Sequence, residues 1–362
     1  MKKNKRVVIK VGTKVITSAE RTLDKEKMRG IARQVSEVMS EGTEVIIVTS
    51  GAIAAGMSLI GAKRRSSDLN ALQAAASMGQ SHLMRLYGEY FRSGGYLVGQ
   101  MLLTQEDFND RKRYLNIKHT IDTLFKHGAV PIINENDTVA TDEIKCGDND
   151  RLSALVSDLC GADKLIVLTD VEGLLDGDGR LIPLVEEITQ KISALGGASR
   201  CDLGTGGMAS KLESVGRVMS SGIECVIADG RSKDIITRIM RGEASGTVFK
   251  SSKARFIAKK RWIAFSSKPK GSIKVDDGAV DALTGKNRSL LAKGIIGVSG
   301  HFKARDTVRI TDKLGNEFGR GLCNYSSAEL SKIKGLGSDS FAAALGYGGR
   351  DEVIHKDELV IL

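Results

Sequence analysis

The chain has 362 residues, 41% of them hydrophobic and 27% charged, a length at which one core stops growing and two domains become the default expectation. No run approaches the roughly 18 uninterrupted apolar residues of a membrane span, and MKKNKRVVIKVGTKV has too short an apolar stretch for a signal peptide, so a soluble cytoplasmic protein with no membrane partner is expected. The formal net charge of +10 invites a nucleic-acid reading, but the excess is uneven: residues 1 to 250 hold 34 basic and 32 acidic side chains, and residues 251 to 362 hold 20 and 12.

In chain order, the short apolar runs Val7 to Val11, Val45 to Val48, Val130 to Ile133, Leu165 to Leu168 and Cys225 to Ala228 read as buried strands. Between them, Lys25 to Met39 and Leu152 to Leu159 carry apolar residues at three and four spacing, as amphipathic helices do. Strands alternating with helices predict a three-layer α/β/α sandwich with a mostly parallel central sheet over residues 1 to 250. Residues 251 to 270, with seven basic and no acidic side chains, read as the domain junction. Beyond it, Ser272 to Val275, Gly294 to Val298, Thr307 to Thr311, Glu317 to Leu322 and Glu358 to Ile361 alternate between glycine-rich turns, predicting a small β-barrel-like domain over residues 271 to 362.

Five segments of the first domain place glycines and small polar residues at a strand end, where an open α/β sheet binds its ligands. In the first, Lys10, Val11, Gly12 and Thr13, a lysine closes a buried strand; an unpaired buried ammonium is costly, and the alternative is an edge lysine that reaches water. The second, Thr49 to Gly56, includes Ser50, Gly51 and Ala52 and opens a helix whose N–H groups suit an anion, although tight packing needs the same small residues. The third, Asn134 to Asp137, and the fourth, Lys145 to Asp150, crowd acids and amides in a way that suits an α-amino group or the orienting of lysines, with a solvated loop as the alternative. The fifth pairs Thr169 and Asp170 with the stretch from Gly204 to Lys211, whose glycines, hydroxyls and lysine suit a polyphosphate, although the Walker A spacing is absent.

The five histidines (His82, His119, His127, His301, His355) have no strand-end placement, and the five cysteines (Cys146, Cys160, Cys201, Cys225, Cys323) are too scattered for a zinc knuckle or redox pair. A phosphoryl acceptor that is already a carboxylate needs neither, because it is ionised at neutral pH and requires no general base. Such a reaction demands positive charge around two repelling anions and in-line positioning.

The segments VIKVGT, IVTSGAIAAG, VGQMLLT, VPIINENDTVA, IKCGDNDRLSALV, LTDVEGL and the glycine-rich stretch ending GTGGMASK, in that order, resemble the amino-acid kinases, and within them the glutamate 5-kinase family that opens proline biosynthesis. Residues from about Gly271 to Gly348 resemble a PUA domain. The resemblance implies that Lys10 and Lys211 straddle the transferring phosphoryl group and that Asp150 holds them in place. It implies ATP binding by Lys10, Gly12, Thr169, Asp170, Thr205, Gly206, Gly207, Met208, Ala209, Ser210 and Lys211. Glutamate binding is implied for Ser50, Asp137 and Asn149, with Gly51, Ala52, Asn134 and Asp148 as neighbours. Mg2+ is expected to arrive with the nucleotide, ligated chiefly by phosphate oxygens. The implied reaction is attack of the glutamate γ-carboxylate on MgATP to give γ-glutamyl phosphate. Feedback inhibition by proline, a homodimer or homotetramer, and hand-off of the acyl phosphate to glutamyl phosphate reductase complete the expectation.

The rival within the superfamily is phosphorylation of acetylglutamate, aspartate, carbamate or UMP, and Asp137 with Asn149 argues for a substrate with a free ammonium group. The rival from another class is RNA binding through the PUA domain. Residues 271 to 362 carry 13 basic and 12 acidic side chains, too balanced for a strong phosphate footprint.

Overall fold

The computed structural model describes residues 5–20, 22–62, 66–139, 149–197, 207–243, 245–250, 260, 262–286 and 288–362. The chain divides into two compact units, the first made of Met1–Phe108 and Lys112–Arg255, the second of Asn109–Arg111 and Phe256–Leu362. The division falls inside the basic stretch 251 to 270, whose later part is built into the second unit: Trp262, Ile263 and Ala264 are buried there, and the Arg320 guanidinium donates to the Ala264 carbonyl at 2.8 Å. Among the described residues, no helix is long and apolar enough to cross a membrane.

The first unit is organised by one eight-stranded sheet. Its strands are β1 (Arg6–Val11), β2 (Glu44–Thr49), β3 (Leu97–Leu103), β4 (Ala129–Glu135), β5 (Lys164–Thr169), β6 (Leu184–Val185), β7 (Glu224–Asp229) and β8 (Thr247–Phe249), in the spatial order β3-β4-β2-β1-β5-β7-β8-β6. All pairings are parallel except β7 with β8. The five predicted strands are β1, β2, β4, β5 and β7. They read as short, mostly apolar runs because helices cover both faces.

The helices needed to place the site are α1 (Lys25–Ser40), α2 (Ala52–Leu59), α3 (Leu69–Ser93), α4 (Asn149–Cys160) and α5 (Met208–Ser220). Alternation along each strand sorts its side chains between two layers. Val7, Ile9 and Val11 of β1 join a core with Met28, Ile31 and Val35 of α1 and Leu83, Leu86 and Tyr87 of α3. Val8 and Lys10 therefore point to the opposite layer, where α4 packs on β1, β5, β2 and β4 and α5 packs on α4 and β7. Asp24 starts α1 by accepting from the N–H groups of Glu26 and Lys27, and Asp68 does the same for α3 through Asn70 and Ala71.

The second unit carries a five-stranded sheet of β9 (Gly271–Val275), β11 (Ile295–Gly300), β12 (Thr307–Thr311), β13 (Glu317–Leu322) and β15 (Leu359–Ile361), in the order β11-β9-β12-β13-β15. Its pairings are antiparallel except β9 with β12. A two-stranded pair, β10 (Leu290–Leu291) with β14 (Glu352–Ile354), and a core including Ile273, Val308, Ile310, Leu330 and Phe341 complete it.

Candidate active site

The carboxyl ends of β1, β2, β4 and β5 and the N-termini of α2 and α4 gather most of the residues singled out from sequence. Lys10 lies on β1 at the centre of the sheet, with β2 on one side and β5 on the other, so it is not an edge lysine. Its ammonium meets Asp150 Oδ1 at 2.6 Å, and Lys211 Nζ meets Asp150 Oδ2 at 3.1 Å. Asp150 is 1% exposed and both lysines are 6% exposed. One carboxylate thus holds two ammonium groups in a buried position.

Burial pushes the Asp150 carboxyl upward, but the attraction of Lys10 and Lys211 outweighs it and holds the group below the usual carboxylate range. Its place in the first turn of α4, at the positive end of the helix dipole, works in the same direction. Lys211 is the fourth residue of α5, whose N-cap, Gly207, supplies no side-chain hydrogen bond, the kind of helix start at which anions bind.

Gly12 leaves β1 with its N–H donating to the Leu168 carbonyl at 3.0 Å. A Cβ at this position would stand 3.1 Å from that carbonyl oxygen and 3.7 Å from Lys10 Nζ, crowding the strand end beside the ammonium. Thr169 is buried at the end of β5, and the neighbouring Asp170 carboxylate takes an ion pair from Lys14 at 2.8 Å. Burial raises the Asp170 carboxyl and the Lys14 contact more than reverses this, leaving it below its ordinary value. Arg231, after β7, is fixed by Asp229 at 2.7 Å and donates to the Asp170 carbonyl at 2.8 Å. Lys14 and Arg231 were not singled out from sequence. Both lie within three residues of a strand end, which is the signal that could have found them.

On the other flank, Gly51 caps α2 with φ 100°, a left-handed conformation that glycine adopts without strain. Asn149, the first residue of α4, donates through Nδ2 to the Thr49 carbonyl at 2.8 Å, Ser50 Oγ at 2.9 Å and Asn134 Oδ1 at 3.0 Å. Ser50 accepts here and keeps its own O–H to donate. Asn134 is buried at the end of β4, so the polar cluster read there includes a core amide, and Asp137 is half-buried just beyond it. Ala52 is buried at the start of α2, while Met208, Ala209 and Ser210 line the first turn of α5. Asp148, Thr205 and Gly206, together with Cys146 and Cys201, lie outside the described residues.

The described thiols, Cys160, Cys225 and Cys323, are buried and form no disulfide. Among the described residues no group of three His, Cys, Asp or Glu side chains converges as a metal site would require.

The family model of the amino acid kinases matches residues 5–229. The chain belongs to the amino acid kinase family. A PUA domain model matches residues 271–343. Among relatives of this family member, a glutamate 5-kinase of Caldanaerobacter subterraneus subsp. tengcongensis is 44% identical, over 99% of this chain and 98% of that one. A glutamate 5-kinase of Citrifermentans bemidjiense is 45% identical, over 100% of this chain and 99% of that one. Among solved structures, the carbamate kinase from Giardia lamblia bound to AMP-PNP superposes with a TM-score of 0.50 at 17% identity, covering 70% of this chain and all of that one, a likeness of fold.

Proposed function

We infer that this chain is a glutamate 5-kinase, transferring the γ-phosphoryl group of ATP to the γ-carboxylate of L-glutamate as the first step of proline biosynthesis. Relatives of that activity match it over its whole length at 44 and 45% identity. The observation that carries the chemistry is the pair of buried ammonium groups on one carboxylate, Lys10 and Lys211 on Asp150.

Phosphoryl transfer between two anions is limited by repulsion and by charge spreading over the transferred oxygens. Lys10 and Lys211 supply fixed positive charge where water is excluded, so it needs no reorganisation as the transition state forms. Asp150 has an ammonium against each of its oxygens, which makes it a poor base, and none is needed because the acceptor carboxylate is already ionised. Its role is to hold the lysines apart at a set spacing. The N–H groups at Gly207, Met208, Ala209 and Ser210 would take nucleotide phosphates, with Thr205 and Gly206 extending that cradle and Gly12 allowing close approach. Thr169 and Asp170 would bind the rest of ATP.

The glutamate would lie over Ser50, Gly51, Ala52, Asn134 and Asn149, with Asp137 and Asp148 drawn to its α-ammonium group. Mg2+ would be held through the phosphate oxygens of ATP, where it neutralises charge on the transferred group. Proline, which shares the α-carboxylate and an ammonium nitrogen with glutamate, would inhibit at or overlapping this site. A homodimer or homotetramer in the cytoplasm, passing its labile acyl phosphate to a reductase, fits the proposed activity. The proposal divides the chain into residues 1–250 for catalysis, a basic junction over 251–270 and a PUA domain over 271–362.

The test is to incubate the purified protein with MgATP and glutamate and trap the acyl phosphate with hydroxylamine. Hydroxamate from glutamate is expected. Signal only with aspartate or N-acetylglutamate would overturn the assignment.

A further inference from the structure

The polar groups at the strand ends run across the sheet in the order in which the two substrates would meet. Asn134 and Ser50 stand at the ends of β4 and β2, Lys10 at that of β1, and Asp170 and Arg231 just beyond β5 and β7, strands that are neighbours in the order β4-β2-β1-β5-β7. Val11 pairs with Leu168 and Leu168 with Ala228, so the ends of β1, β5 and β7 stand level. At a strand spacing of about 4.8 Å the end of β7 lies about 10 Å from that of β1, the reach of a triphosphate with its ribose. Phosphates at Lys10 and Lys211, and a ribose beside Asp170, bring the base of the nucleotide to the end of β7, where Arg231 stands.

Arg231 is built as a fixed plane. Its Nε and Nη2 donate to the two oxygens of Asp229 at 2.8 and 2.7 Å, and Nη2 gives its other N–H to the Asp170 carbonyl at 2.8 Å. Its backbone N–H donates to Asp229 Oδ1 at 2.9 Å. The turn that carries it is pressed onto the sheet: the Gly230 N–H donates to the Thr169 carbonyl at 2.9 Å, and a Cβ on Gly230 would stand 2.6 Å from Val15 Cγ1 and 3.0 Å from Leu168 Cβ. A guanidinium held along this edge cannot turn, yet its side chain is 50% exposed, so what it offers to a ligand is surface on its faces. The carbonyl it grips leads into Val171, an apolar residue 39% exposed. Arg231 and Lys14 are each matched by a carboxylate, Asp229 and Asp170, which suits an uncharged ring better than a further phosphate.

We propose that Arg231 is a specificity-determining residue for the nucleotide, taking the ring of the base against the face of its guanidinium. This rests on the reading of these strand ends as an ATP site. A planar cation attracts the electron-rich face of a flat ring, and it does so without reading the groups on the ring's edge. Contact grows with the area of the ring, so a purine is held better than a pyrimidine.

Arg231→Lys is the deciding variant, because it keeps the charge and loses the plane; a residue serving a phosphate as a point charge would survive it. With hydroxamate formation as the assay, Arg231→Lys and Arg231→Met are each expected to lower kcat/KM for ATP about tenfold, through KM, while KM for glutamate stays within about twofold. With UTP in place of ATP the loss should be less than about threefold, so the wild-type preference for the purine nucleotide shrinks. General damage to the strand ends would instead weaken both nucleotides alike. Because the ion pair is half-exposed, both variants should melt within about 4 °C of wild type. A wild-type kcat/KM for ATP in Arg231→Lys, equal losses with ATP and UTP, or a wild-type protein that does not prefer ATP to UTP would overturn the proposal. Failure of the underlying reading registers separately, as a wild-type protein that yields no glutamyl hydroxamate with MgATP, and would overturn both.

Discussion

Replacing Asp150 by Asn tests the centre of the site with one oxygen-to-nitrogen change. The side chain keeps its size in a position 1% exposed, but Lys10 and Lys211, each 6% exposed, lose their shared counter-ion and face one another as two buried like charges. Removing one partner of a buried ion pair costs about 3–5 kcal/mol, and for a domain of this size each kcal/mol lowers Tm by about 2–4 °C. A fall of roughly 6–20 °C is expected on those two scales. Once the lysines are free to move, an ångström of misplacement costs on the order of 100-fold in rate. Hydroxamate formation should therefore fall by at least about 100-fold in kcat/KM.

The effect has a definite pH sign. Asp150 is held below its ordinary value in the folded protein, so its contribution is present above the unfolded carboxylate pKa and is lost as pH falls through the folded one. Wild type and Asp150→Asn should differ fully at neutral pH and converge in melting temperature only below about pH 4. Thermal melts between neutral and acidic pH, beside the hydroxamate assay, check both limbs. A variant melting within about 2 °C of wild type at pH 7, with turnover within threefold, would refute the view that one carboxylate organises the two lysines.

Lys10→Met and Lys211→Met should each lower kcat by about 1,000-fold or more while KM values move little, since the lost charge acts mainly in the transition state; near-normal turnover in steady-state kinetics would contradict that role. At Gly79, where α3 crosses α2, a Cβ would lie 1.9 Å from the Ala52 carbonyl oxygen and 2.3 Å from the Gly56 nitrogen. Gly79→Ala should therefore destabilise by about 1–3 kcal/mol in urea unfolding and raise KM for glutamate as the start of α2 shifts. Burial pushes the thiols of Cys225 and Cys323 upward, the latter to about 12, so both should resist a thiol reagent in the native protein and react once it is unfolded.

The sheet's interior was legible because parallel strands buried on both faces cannot hide their composition: β1, β2, β4, β5 and β7 each carry a short apolar run rich in β-branched residues. Strands at the margins were not. β3 is LVGQMLL, largely half-exposed at the edge of the sheet, and β6 and β8 are two and three residues long, held by pairing and not by pattern. In the second unit the helices Asp277–Gly285 and Ser327–Ile333 escaped a reading built on alternation, although Ser326 and Glu329 form a capping box that marks the second one.

The sequence by itself determined which residue types sit at the strand ends, because a lysine closing a buried strand and a run of glycines before a helix are conspicuous wherever they occur. It also placed the charge excess outside the second domain, since residues 271 to 362 carry 13 basic against 12 acidic side chains. Only the tertiary structure decided that Lys10 and Lys211 share the two oxygens of one carboxylate, because residues 10, 150 and 211 meet only through the order of strands in the sheet. It alone disclosed that Gln80 and Tyr87, on the buried face of α3, meet the Asn134 side-chain amide and the Thr49 hydroxyl. Their partners lie 54 and 38 residues away along the chain. Local pattern reports which face of an element is buried, and the partner a buried polar atom finds there depends on a neighbour that pattern does not encode.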